Sequence, residues 1–126
     1  MKKKTIRSGL VGAGFSASFH FKAIKKVSGT EVEVVGVYAK DMDMAKAYAA
    51  ARGIKTFDSL EGLLEAVDLV HINTPPYAHE PVAVAALKRD KHVICEKPLT
   101  GYFGDGSPDF HWERCDKETA LREALA

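Results

Sequence analysis

The chain has 126 residues, with 18 Lys and Arg against 17 Asp and Glu and a formal net charge of +1. Hydrophobic residues make up 46% and charged residues 28%, which excludes a disordered or fibrous chain and fits one domain with a real core. The near-neutral balance excludes a dedicated nucleic-acid surface, and two cysteines, Cys95 and Cys115, make no disulfide framework and suit a reducing cytosol.

The start Met1-Lys-Lys-Lys4 is basic, but Arg7 and scattered polar residues interrupt the next stretch, so no signal-peptide core forms. No apolar run approaches the ~18 residues that a membrane helix requires. Thr5 to Val11 reads as a strand ending in a glycine turn. A helix comes next, with Phe15, Phe19, Ala23, Ile24 and Val27 on one face and Gly29 as its stop. Glu31 to Ala39 carries Val32, Val34, Val35 and Val37, a β-branched run that suits a buried strand. Asp43 is placed to cap a second helix, whose Met44, Ala47, Tyr48 and Ala51 share a face and which Gly53 ends.

A short strand is predicted near Ile54 to Phe57. Asp58 then opens a helix bearing Leu60, Leu63, Leu64 and Val67, with Glu61 in capping-box position. Leu69 to Asn73 is another strand, stopped by Thr74-Pro75-Pro76. Ala78 to Arg89 reads as a helix with Pro81 in its first turn, and Asp90 takes the closing place that glycine would favour. His92 to Cys95 forms the fifth strand. Strands alternating with helices through short turns imply a doubly wound α/β domain with a parallel sheet. From Gly101 to Trp112 the texture changes to turn formers mixed with aromatics, without period. Such a loop is packed by its own aromatics or awaits a partner surface. Asp116 then starts a last helix with Leu121, Ala124 and Leu125 on one face, reaching Ala126 without a stop signal.

Gly12-Ala-Gly-Phe-Ser-Ala17 stands between the first strand and the first helix, as a G-x-G-x-x-A fingerprint requires. Gly12 permits the tight turn, Gly14 lets a pyrophosphate approach the backbone, and Ala17 lets helix and strand pack closely. The helix start offers free N–H groups and a positive dipole end to phosphates. About 20 residues further on, an acid at the end of the second strand would bind a ribose 2′-hydroxyl. Here Ala39 takes that place and Lys40 comes after it, a cation suited to a 2′-phosphate, which tilts the reading toward NADP over NAD. Asp41 is the alternative ribose partner.

Gly12-Ala-Gly-Phe15, His20, Asn73-Thr-Pro75 with His79, and His92-Val-Ile-Cys-Glu-Lys-Pro-Leu99 together resemble the Gfo/Idh/MocA family of NAD(P)-dependent oxidoreductases. The resemblance spans residues 5 to 100. It implies a Rossmann-type nucleotide-binding domain over residues 1–100, with residues 101–126 a loop and the start of a final helix. It implies hydride transfer between a nicotinamide and a carbinol carbon of a sugar, inositol or related polyol. Carried over by position, Ala13, Phe15 and Ser16 would line the pyrophosphate and Ala39-Lys40 the adenosine ribose. Thr74, Pro75 and His79 would flank the nicotinamide half. Glu96 and Lys97 would sit beside the nicotinamide ribose, with Lys97 reaching the substrate oxygen as the catalytic residue. An ammonium beside a developing alkoxide stabilises its charge, and partial burial would tune it for proton exchange.

The family places further acid/base groups, and the surface through which copies commonly pair, in a second α/β domain. The expectation is therefore that this chain is the nucleotide-binding part of a longer cytoplasmic enzyme and shows no turnover alone. A stand-alone dinucleotide sensor without catalysis is the competing reading. An S-adenosylmethionine-binding fold is a third, against which Glu96-Lys-Pro98 speaks. No metal site is expected: His92 and Cys95, three apart on a strand, point to opposite faces. His71, inside an apolar strand, reads as a satisfied core histidine, and His20 is assigned no chemistry.

Overall fold

The computed structural model describes residues 4–126 apart from the Trp112 side chain, so the basic start before Lys4 lies outside the described residues. Strands β1 (Thr5–Val11), β2 (Glu31–Tyr38), β3 (Lys55–Thr56), β4 (Leu69–Ile72) and β5 (His92–Cys95) form one sheet in the order β3-β2-β1-β4-β5. Every pairing in it is parallel. Helices α1 (Phe15–Ile24), α2 (Met42–Ala50), α3 (Leu60–Ala66) and α4 (His79–Leu87) link the strands, and α5 (Lys117–Leu125) comes after the long loop. This is the doubly wound fold that the alternation predicts. Among the described residues no helix is long and apolar enough to cross a membrane.

The strand order reverses after β3, which puts α1 and α2 on one face of the sheet and α3 and α4 on the other. Neighbouring residues of β1 serve both faces, because strand side chains alternate. Leu10 packs with Ala17, Ile24, Tyr48 and Ala49, whereas Val11 packs with Leu63, Leu64, Val82 and Ala86. Both β1 and β4 neighbour strands on either side, so their carboxyl ends sit at the centre of the sheet's upper edge.

Several local details differ from the sequence reading. Asp41, not Asp43, caps α2, accepting from the Asp43 and Met44 amides at 3.1 Å. The buried face of α2 is Ala45, Tyr48 and Ala49, one residue out of register with the face expected. Ser59 caps α3 through the Gly62 amide, so no Asp58–Glu61 box forms. Helix α1 ends at Ile24, and of its expected face only Ile24 is buried; Phe15 is 88% exposed. Asp90 does adopt the left-handed conformation, at φ 55°. The loop before α5 packs on its own aromatics, Tyr102 meeting Phe110 edge-on at 5.3 Å. On α5 itself, Leu121 and Leu125 are exposed.

Candidate functional site

The carboxyl ends of β1, β2 and β4 open on a groove of about 800 Å³. Its floor is the turn from Gly12 to Gly14. Gly12 has φ +102°, and a Cβ there would lie 2.5 Å from the Asn73 carbonyl oxygen, so only glycine fits. Gly14 is different: a Cβ built on it would meet nothing within 4 Å, so its backbone faces open groove. No side chain caps α1 and no acid sits in its first turn. Its amides and the positive end of its dipole therefore face the groove unneutralised. Ala17, fully buried, brings α1 against the sheet, and the Tyr48 hydroxyl donates to its carbonyl at 2.7 Å.

The turn residues Gly12, Ala13, Gly14, Phe15 and Ser16 share this groove with Ala39 and Lys40 from the end of β2 and with Thr74 and Pro75 after β4. The glycine fingerprint and the family resemblance picked these nine out, and the fold brings them together. It adds Asn73, Tyr77 and Met44, which the sequence reading did not assign to the site. Asn73 is the most informative of them. It is 8% exposed, its amide nitrogen donates to Ser16 Oγ at 2.9 Å, and its Oδ1 has no partner among the described residues. Thr74 Oγ1 is likewise unpartnered. Buried polar atoms carry a cost unless they are satisfied, so a pair of them beside an open groove fits a polar ligand.

At the rim formed by the end of β2, Ala39 offers no carboxylate. The Asp41 carboxylate, the alternative ribose partner, already accepts from two α2 amides. Lys40 is exposed on the rim and forms no ion pair among the described residues.

Glu96, Lys97 and His79 stand apart from the groove's walls. His79 is 1% exposed, with Nδ1 2.7 Å from the Pro98 carbonyl oxygen and Nε2 3.0 Å from that of Thr74. It ties two turns together and does not open onto the groove. Lys97 is exposed, so the partial burial foreseen for it is absent from this structure. Glu96 lines a second cleft of about 300 Å³, together with Phe19, His20, His71 and Ile94. Its Oε1 is 2.7 Å from His20 Nε2 and its Oε2 accepts from the Lys97 amide at 3.3 Å. The hydrogen bond from His20 holds the Glu96 carboxyl below its ordinary range, and the Lys97 amide adds to this. Behind His20 stands His71, Nδ1 to Nδ1 at 3.0 Å, with the rings edge-on at 89°. His71 is not the satisfied core histidine foreseen, because its Nε2 is buried without a partner among the described residues. Burial, and then the neighbouring His20, lower its pKa to about 4.

Comparison with known proteins agrees with this fold. Residues 6–112 match the family model GFO_IDH_MocA, described as an oxidoreductase family with an NAD-binding Rossmann fold. An inositol 2-dehydrogenase of Saccharopolyspora erythraea is 41% identical over 107 residues, 79% of this chain and 30% of its own length. The structure of an oxidoreductase from Thermotoga maritima superposes with a TM-score of 0.69 at 37% identity, covering 76% of this chain and 31% of that one. A Synechocystis biliverdin reductase, solved with biliverdin and NADP+, gives a TM-score of 0.66 at 28% identity, covering 75% and 30% of the two chains. The chain thus spans about a third of the length of the curated relatives it matches.

Proposed function

The chain belongs to the Gfo/Idh/MocA oxidoreductase family, and from that premise we propose that it binds a nicotinamide dinucleotide for hydride transfer to or from a sugar, inositol or related polyol. The observation that carries this reading is the uncapped start of α1 opening onto a groove that Asn73 and Thr74 also line, each with a buried side-chain oxygen that has no partner among the described residues. Free amides at a helix start, with further polar groups beside them, suit a ligand with phosphates and hydroxyls in the same molecule.

Gly12, Ala13 and Gly14, with the first-turn amides of Phe15 and Ser16, would hold the pyrophosphate. Ala39 and Lys40 would meet the adenosine ribose, and Thr74 and Pro75 the nicotinamide half. The vacant carboxylate position at Ala39, the engagement of Asp41 in capping and the unpaired Lys40 favour NADP over NAD. When bound, the dinucleotide supplies or accepts the hydride. Lys97, carried on the turn after β5, would place its ammonium against the substrate oxygen and stabilise the charge that develops there.

Calorimetric titration of the chain with NADPH and with NADH tests the reading. Binding of both, tighter for NADPH, is the expected result. The absence of heat with either ligand at millimolar concentration overturns it. In a chain extended to the length of its relatives, Lys97→Ala should lower kcat by orders of magnitude and largely spare cofactor affinity. An unchanged kcat would reduce Lys97 to a ribose contact.

A further inference from the structure

His20 lies on α1 more than one turn beyond the groove, yet it makes the shortest contact to the Glu96 carboxylate. Glu96 uses its two oxygens on two different elements: Oε1 on His20 of α1 and Oε2 on the Lys97 amide of the turn after β5. The carboxylate is thereby a bridge between the helix that starts at the groove and the turn that carries Lys97. The orientation of His20 is fixed in its turn. With Nε2 donating to Glu96, a neutral ring presents Nδ1 as acceptor, and the His71 Nδ1–H is the donor that meets it. This leaves the His71 Nε2 lone pair as the unpartnered buried atom, which costs less than a buried N–H. The chain of contacts therefore has one consistent direction, from His71 through His20 to Glu96.

The sheet order determines which part of a bound dinucleotide this chain can affect. The ends of β2 and β5 are separated by β1 and β4, three strand spacings or about 14 Å. A dinucleotide laid along this edge with its adenosine at Ala39 and Lys40 has its other end at β4 and β5, beside Glu96 and Lys97.

We propose that His20 is a positioning residue. Its imidazole, braced by His71, sets the Glu96 carboxylate and with it the Glu96-Lys97-Pro98 turn, so that the nicotinamide half of the ligand is held through a side chain it never touches. The inference rests on the dinucleotide reading above and adds to it a residue that the groove itself does not include.

The test is a split of affinities. NADPH and its adenylate fragment, 2′,5′-ADP, are titrated calorimetrically into the wild-type chain, His20→Leu and His20→Gln. Leucine keeps apolar bulk in the cleft without a donor, whereas glutamine restores an N–H. The expected result is that His20→Leu weakens NADPH on the order of tenfold, leaves 2′,5′-ADP unchanged, and is largely rescued by His20→Gln. Equal loss of both ligands in His20→Leu, through misfolding or otherwise, overturns the proposal in favour of a purely structural histidine. No loss of either also overturns it. Failure of the wild-type chain to bind either ligand is a different result, because it removes the dinucleotide reading itself.

Discussion

The imidazole of His79 reaches across 19 positions of the chain to the carbonyl oxygen of Pro98, 2.7 Å from its Nδ1. Its other nitrogen stands 3.0 Å from the Thr74 carbonyl oxygen. One buried ring thus joins the turn after β4 to the turn after β5, the two segments that would flank the nicotinamide. His79→Leu removes the imidazole from between the two carbonyls and should cost about 1–3 kcal/mol of stability. Denaturant unfolding measures that loss. Amide exchange should quicken at Lys97 and Leu99 first, and equal acceleration at Leu10 would show that His79 supports the whole fold and not the turns.

Gly12 and Gly14 are two residues apart and should respond in opposite ways to the same substitution. Gly12→Ala forces a Cβ to within 2.5 Å of the Asn73 carbonyl oxygen at φ +102°. It should destabilise the protein by about 2–4 kcal/mol. Gly14→Ala meets no protein atom within 4 Å and has an ordinary negative φ, so its melting temperature should stay near that of the wild type. Its methyl group would stand where phosphates approach, and dinucleotide affinity should fall. Thermal melts alongside calorimetric titrations separate the two effects.

Lys40→Glu should turn the proposed NADP preference toward NAD. Glutamate beside Ala39 provides the ribose acceptor that the strand end lacks and repels a 2′-phosphate. The NADPH affinity should drop by roughly tenfold or more while NADH binding holds or improves. Unchanged ratios of the two dissociation constants would show that Lys40 is only a solvated turn residue.

Stability should also depend on pH through His71. Its pKa falls from 6.5 to about 4 on folding, because burial disfavours the imidazolium and His20 adds repulsion. The unfolded state therefore binds more protons between those values. Stability is full above pH 6.5, declines as pH falls toward 4, and below 4 loses no more on this account. The change integrates to on the order of 3 kcal/mol for one group. Urea unfolding of wild type and His71→Leu at pH 7 and pH 4.5 measures it. The wild type should lose more stability than the variant across that interval.

Legibility in the sequence tracks the range of the interaction involved. Runs such as Val32 to Val37 and the Gly12-to-Ala17 spacing are local, and strand, turn and helix emerged where they were predicted. Helix faces were less legible, since Phe15 and Phe19 are as apolar as core residues. Nothing in their spacing shows that Phe15 would project at a groove. The capping positions were missed by one or two residues because Asp41, Asp43, Asp58 and Ser59 are all competent caps, and only the backbone path selects among them. Least legible was the contact from His20 to Glu96, which spans 76 positions and depends on β4 pairing beside β1, where α1 also touches it, and on β5 pairing beside β4. The groove role of Asn73 was hidden for a similar reason: its partner Ser16 is 57 positions away.

The division of the interior by the sheet has a mechanical consequence. Leu10 and Val11 feed two separate apolar clusters, one under α1 and α2 and the other under α3 and α4. The groove draws its walls from both, Ala39 belonging to the first cluster and Leu60 and Val82 to the second. A molecule seated there acts as a staple across the seam. Local openings that would let either half loosen on its own become openings that must first release the ligand, so occupancy couples the fluctuations of two layers that lie on opposite faces of their common sheet.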